Sequence, residues 1–252
     1  DVAGRLTAKY TLPDGFAPLQ TRLHKMADEL TASLTGWHGS NATFRPEDFG
    51  LISGEKATRA IQSAIDKAGE HGGTVRLSGG DYVSGTLILR SNVRLMVDSG
   101  SRLLASTDLA DYPEQIARRL TVQDTNMGMN QSLIFAEGCE NICICGGGEL
   151  DGQGTRTNFP GDETCHGTPG RPFLMRIIDC RDVHVHDITL RSAACWMENY
   201  LNCDRVLLER VTVRNQTNYN NDGIDIDGCR DVIIRNCDVE SGDDACCFKG
   251  AS

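Results

Sequence analysis

From Thr74 onward, apolar and polar residues alternate in short runs, broken by Gly, Asn or Asp. Gly72-Gly73-Thr74-Val75-Arg76-Leu77, Gly85-Thr86-Leu87-Ile88-Leu89 and Asn92-Val93-Arg94-Leu95-Met96-Val97 read as strands separated by turn residues. The same texture returns in Val183-His184-Val185 with Ile188-Thr189-Leu190. It recurs in Val206-Leu207-Leu208 with Val211-Thr212-Val213, and again in Val232-Ile233-Ile234. Period-two alternation turns one set of side chains inward and the other outward, and no helical periodicity separates these runs. The pattern predicts an all-β protein.

The runs are also repeats. Cys139-Glu140-Asn141-Ile142, Cys180-Arg181-Asp182-Val183, Cys203-Asp204-Arg205-Val206 and Cys229-Arg230-Asp231-Val232 each put a Cys and a polar turn ahead of a strand, at intervals of 41, 23 and 26 residues. The longer interval accommodates one coil plus a Gly/Pro/Thr-rich insertion over 154–172. Units that cannot bury their apolar face alone must stack. The pattern therefore predicts a right-handed parallel β-helix, its hand taken from the general preference of parallel crossovers.

Two helices are expected upstream. Over Lys56 to Glu70, residues Ala57, Ala60, Ile61, Ala64, Ile65 and Ala68 share one face and Gly72-Gly73 closes the segment. That helix would cap the open end of the coil. Leu23, Met26, Leu30 and Leu34 mark another, and Leu6, Ala8, Tyr10 and Leu12 alternate like a strand. The expected division is a helix-containing N-terminal extension over 1–45, packed on the cap, and a β-helix over 46–252.

Composition narrows the function classes. A formal charge of −10 argues against non-specific binding to nucleic acid or anionic membranes. No apolar run reaches the length of a transmembrane helix. The eleven cysteines sit mostly inside apolar alternation and read as small buried hydrophobes, with Cys165 the best candidate half of a disulfide. Cys143-Ile144-Cys145 lacks partners at zinc spacing and the six histidines are scattered, so no metal and no cofactor are expected.

The chemistry concentrates near the C-terminus. Asn220-Asn221-Asp222-Gly223 lies 21 positions before Gly242-Asp243-Asp244, about one coil. Either segment alone reads as turn chemistry. One coil apart, Asp222 would land beside Asp243 and Asp244 on a solvent-facing ridge, where three carboxylates are costly unless they do chemistry.

The chain resembles glycoside hydrolase family 28, the polygalacturonase family, whose fold is the pectin-lyase-like β-helix. The resemblance is carried by Glu47-Asp48-Phe49-Gly50, Gly72-Gly73-Thr74-Val75, Ser106-Thr107-Asp108-Leu109, Gly148-Glu149-Leu150-Asp151-Gly152-Gln153-Gly154, Arg171-Pro172, Asn220-Asn221-Asp222-Gly223-Ile224-Asp225 and Ser241-Gly242-Asp243-Asp244. It implies inverting hydrolysis of galacturonic-acid-containing pectic polysaccharide. Asp243 would be the general acid, while Asp222 and Asp244 activate water across a gap of about 6.5–9.5 Å. Repulsion among the three should raise one pKa and leave a proton for Asp243. Asn220 matches the family motif, and Asn221 stands where Thr is usual, with little consequence expected. Lys249 is a candidate for gripping a substrate carboxylate, and Trp196, one coil below Asn220, for an aromatic platform. Asp151 reads as holding a turn.

The resemblance also implies further coils carrying Gly-His-Gly and Arg-x-Lys segments. The expected β-helix is therefore incomplete at its C-terminus, its groove completed by a missing segment or a second chain. The expected location is secreted or periplasmic, with a signal peptide removed. Asn41, Asn130 and Asn215 head glycosylation sequons. Two other classes remain open: a Ca²⁺-dependent polysaccharide lyase with a basic proton abstractor, and a catalytically silent β-helix for adhesion or glycan binding.

Overall fold

The computed structural model describes residues 16–119, 129–161 and 170–250. Every strand-to-strand pairing between its named strands is parallel. The strands form an 11-stranded sheet with two arms and a separate 6-stranded sheet. The arms meet because two strands, Arg181–Arg191 and Asp204–Asn215, run through a corner and pair on both sides of it. The result is a parallel β-helix with three faces, as the repeat pattern predicts.

Register carries the core. Phe44, Val75, Leu95, Ile144, Val185, Leu208 and Ile234 stack as consecutive partners through seven coils. Val75, Leu95, Ile144, Val185 and Leu208 are fully buried. Each contributes about 1.5–3 kcal/mol by leaving water. Leu103, Leu150, Leu190, Val213 and Val239 form a second ladder on the other arm.

The Cys-led turns explain the repeat. Asn141, Asp182, Arg205 and Asp231 all adopt left-handed backbone, φ 50–61°. Asn and Asp tolerate this conformation better than other non-glycine residues. Arg205 is the exception, and its guanidinium donates to Asp182 one coil away and to Ser33 Oγ. Behind the turns, Cys139, Cys180 and Cys203 are buried, and the ten described cysteines are all free. Cys165 lies outside the described residues, as does the strand expected over Leu6 to Leu12.

The capping helix runs Thr58–His71, with Ala60, Ile61, Ala64, Ile65 and Ala68 all buried as expected. Ala57, Ile61, Ala64, Ile65 and Ala68 join the core that contains Val75 and Leu77. The first helix, Phe16–Leu34, corrects the expectation of an extension packed on the cap. Its Leu30 and Leu34 pack on Leu207 and Ile233, on the outside of the coil. Those two apolar residues occupy outward positions of their strands and give the helix an apolar landing. The sheet also begins ahead of the expected boundary at 45–46, since Thr43–Phe44 already pairs with Thr74 and Val75.

Leu208→Ala should lower stability by about 2–5 kcal/mol, because flanking coils cannot collapse into the gap. Urea denaturation would read this as a lower midpoint at unchanged slope.

Candidate active site

Strands Glu198–Leu201, Ile224–Asp227 and Cys246–Lys249 stack in the 6-stranded sheet, with Glu198, Ile224 and Cys246 in one register column. The turns entering the last two strands carry the acidic motifs. Gly223 N donates to Asp244 O at 2.8 Å, Asp243 N to Asn221 O at 3.3 Å, and Met197 N to Asp222 O at 3.0 Å. Asp222 therefore sits directly beneath the Asp243-Asp244 turn, as the one-coil spacing predicts. Gly223 permits the approach, since a Cβ there would lie 2.4 Å from Ala245 O.

Buried amides hold the lower turn. Asn215 Nδ2 donates to Asp222 O at 2.8 Å and to Cys195 O at 2.9 Å. Asn221, whose presence in place of the usual Thr was expected to have little consequence, is fully buried. Its Nδ2 donates to Ala193 O at 3.1 Å and Cys195 O at 2.9 Å, and its Oδ1 accepts from Asn218 N. Asn220 has left-handed backbone, φ 50°, and its Oδ1 accepts from Arg171 Nη2 at 2.8 Å. Arg171 is itself buried and also donates to Tyr219 O at 2.6 Å. In the upper turn, Ser241 Oγ donates to Asp243 O at 2.7 Å and Asp244 N to Asp243 Oδ1 at 3.1 Å. Asp151 holds its turn as expected, accepting from Gln153 N at 2.8 Å.

The expected ridge of three solvent-facing carboxylates needs correction. Asp243 and Asp244 are exposed, but Asp222 is buried, with Oδ1 lacking a hydrogen-bond partner among the described residues. Its carboxyl is pushed up to about 7, mainly by burial, then by the neighbouring Asp225 charge, with Asp243 and Asp244 adding less. Desolvation, not mutual repulsion of the three, is the larger cause.

Sequence reasoning assigned no role to Asp225 and Asp227, both buried. They occupy outward positions of Ile224-Asp225-Ile226-Asp227, and acidic residues alternating with isoleucine beside the motif were the available signal. Burial pushes Asp225 up to about 6 even though it is ion-paired with Lys249. The Lys249 ammonium also lies 3.6 Å from Asp222 Oδ2 and 3.6 Å from the Trp196 ring centroid. Trp196 is buried and packs edge-on against Phe173 at 5.5 Å. It is therefore not the open platform expected, because Lys249 covers one face and Phe173 meets its edge. Glu198, also missed, is fully buried in the core column between Met175 and Ile224. It accepts from Tyr200 Oη at 2.6 Å, and burial pushes its carboxyl up to about 7. Of the sequons, Asn41 is exposed, whereas Asn215 is fully buried with its amide committed.

Fold and site together define a parallel β-helix protein with an acidic cluster built across two successive coils. The chain belongs to glycosyl hydrolases family 28, whose profile matches residues 91–251. It is 28% identical over 214 residues to a probable polygalacturonase of Vitis vinifera, covering 80% of this chain and 43% of that one. It is 27% identical over 207 residues to an endo-polygalacturonase of Pectobacterium carotovorum subsp. carotovorum, covering 77% of this chain and 51% of the relative. The chain thus spans about half the length of the curated relatives it matches. Among solved structures, the exopolygalacturonase of Thermotoga maritima superposes with a TM-score of 0.75 at 20% identity, over 91% of this chain and 59% of that one. A family 28 exopolygalacturonase of Yersinia enterocolitica gives 0.69 at 25% identity, over 83% and 45%. These likenesses establish the right-handed parallel β-helix. Among the described residues, no helix is long and apolar enough to cross a membrane.

Because burial raises Asp222 above the unfolded carboxylate range, its contribution to stability is fully present below about pH 4 and is lost as pH rises through about 7. Asp222→Asn should therefore gain stability relative to wild type across that window, read by urea denaturation at successive pH values.

Proposed function

We propose that the chain carries the catalytic corner of a glycoside hydrolase that cleaves galacturonic-acid-containing pectic polysaccharide with inversion. The observation that carries this reading is the stacking of Asp222 directly beneath Asp243-Asp244, held by the backbone pairs of Gly223 with Asp244 and of Asp243 with Asn221. The Vitis vinifera and Pectobacterium carotovorum relatives, a probable polygalacturonase and an endo-polygalacturonase, support the substrate class.

Asp243, exposed at the tip of its turn, protonates the glycosidic oxygen as the bond to the anomeric carbon breaks. Asp244 and Asp222 hold a water on the opposite side of that carbon, and one of them takes its proton as the new C–O bond forms. Asn220 lines the site, its side chain fixed by Arg171. Lys249 offers positive charge to a uronic carboxylate, supported by its 3.6 Å approach to Asp222. The exposed Phe248 ring, 74% accessible where the aligned Tyr200 and Ile226 are buried, supports a groove completed by further residues or a second chain. A secreted or periplasmic location fits a polymeric pectic substrate.

Polygalacturonate incubated with the protein should release reducing ends without an ultraviolet-absorbing product, and proton NMR should show the inverted anomer first. An unsaturated product would instead mean lysis, and binding without turnover a silent β-helix. Asp243→Asn should lower kcat by about 10²–10⁴-fold, the span of general acid catalysis. If Asp222 and not Asp244 takes the water's proton, the rising limb of the kcat–pH profile should lie near 7. A rate independent of pH over that range would argue against this role for Asp222.

A further inference from the structure

We propose that Cys143, Cys145 and His186 form a zinc site on the outer face of the β-helix, in a different sheet from the carboxylates. The three donor atoms all lie within 4.8 Å of one another, and Cys143 Sγ is 3.5 Å from His186 Nε2. With zinc about 2.3 Å from sulfur and about 2.0–2.1 Å from nitrogen, a tetrahedral site has a sulfur-to-nitrogen edge of about 3.6 Å. The pocket is already close to that size.

Register explains the convergence. Cys143 and Cys145 share the outward side of strand Glu140–Cys145, and His184 is the register partner of Cys143 one coil on. Two residues further along, His186 falls beside Cys145. The 41-position separation of Cys145 and His186 hides this neighbourhood, so the expectation of no partner at zinc spacing considered the wrong axis.

The histidine is oriented for the task. His186 Nδ1 lies 2.7 Å from Asp187 Oδ2. A carboxylate only accepts, so Nδ1 carries the hydrogen and Nε2 can present its lone pair to the thiols. Asp187 is gripped in turn by Arg210 through two bonds of 2.7 and 2.8 Å. This carboxylate–histidine pairing is the outer shell that metal-bound imidazoles carry. His184 stacks on His186 at 4.2 Å, but its own Nε2 is 3.2 Å from Glu209, so it packs the site and leaves the fourth position open. A cleft of about 130 Å³, lined by Trp37, Arg94, Cys143, His184 and His186, gives access from solvent.

Two thiolates and one imidazole suit zinc in preference to the oxygen-seeking cations. Binding releases the two thiol protons to solvent and ties two coils together across the insertion between them. Among the described residues, no other group of three such donors lies this close together.

The test uses the chain reduced with a phosphine, freed of metal and titrated with Co²⁺, then Zn²⁺. A thiolate-to-cobalt charge-transfer band should saturate at one equivalent, be abolished by one equivalent of zinc, and vanish in Cys145→Ser. Asp187→Asn should keep the band but weaken binding by about 10–100-fold, and His186→Gln should weaken it further. Cys195→Ser, in a different cluster of the fold, should match wild type. Zinc should raise the thermal midpoint of wild type and not of Cys145→Ser. Circular dichroism checks that each variant is folded. If Cys145→Ser is not, the half-buried His186→Gln and the surface Asp187→Asn decide. No saturable thiolate band, a band that survives in Cys145→Ser, or unchanged affinity in both His186→Gln and Asp187→Asn would overturn the proposal.

Discussion

Everything in this protein rests on the register between successive coils. Parallel strands bond only to the coils above and below, so each residue is held over one particular partner, as Val185 is over Ile144 and Leu208 over Val185. A slip of one residue would turn every inward side chain outward. Apolar ladders and left-handed Asx turns oppose that slip together: the first fix which face is buried, the second fix where each strand starts.

The acidic site is a product of the same constraint. Asp222 and Asp244 come from turns separated by one coil, and they meet because Ile224 pairs with Cys246 immediately beyond them. Their surroundings then differ. The upper turn opens to solvent, while the lower is enclosed by Asn215, Asn221 and the coil above it. Burial of one acid beside two exposed ones separates groups that are chemically identical, and the carboxyl it raises is that of Asp222. Lys249, paired with Asp225 and close to Asp222, offsets part of the buried negative charge without removing the desolvation that raises both carboxyls.

The outer surface uses register differently. Outward positions carry ladders of opposite charge, such as Asp187 under Arg210, but also the apolar pair Leu207 and Ile233 that receives the first helix. Salt bridges on such a surface contribute little individually; their consequence is to orient neighbours. Arg210 holds Asp187, Asp187 holds His186, and a histidine thus aimed faces two thiols on the adjacent coil.

The sequence by itself determined the repeating unit. Period-two alternation, the Cys-led turns and the apolar face of the capping helix are local, and each depends on residues a few positions apart. The acidic motif was legible for the same reason, because its 21-residue separation matched the length of a coil. Tertiary structure alone decided four further things. It buried Asp222 instead of leaving it on the ridge, since burial depends on what the next coil and Lys249 cover. It set Lys249 over one face of Trp196 and Phe173 against its edge, a packing fact invisible in a turn. It also laid the first helix on Leu207 and Ile233, and His186 beside Cys145. Neighbours in a β-helix lie along the axis of stacking, and an insertion of unspecified length between two coils erases that axis from the linear chain.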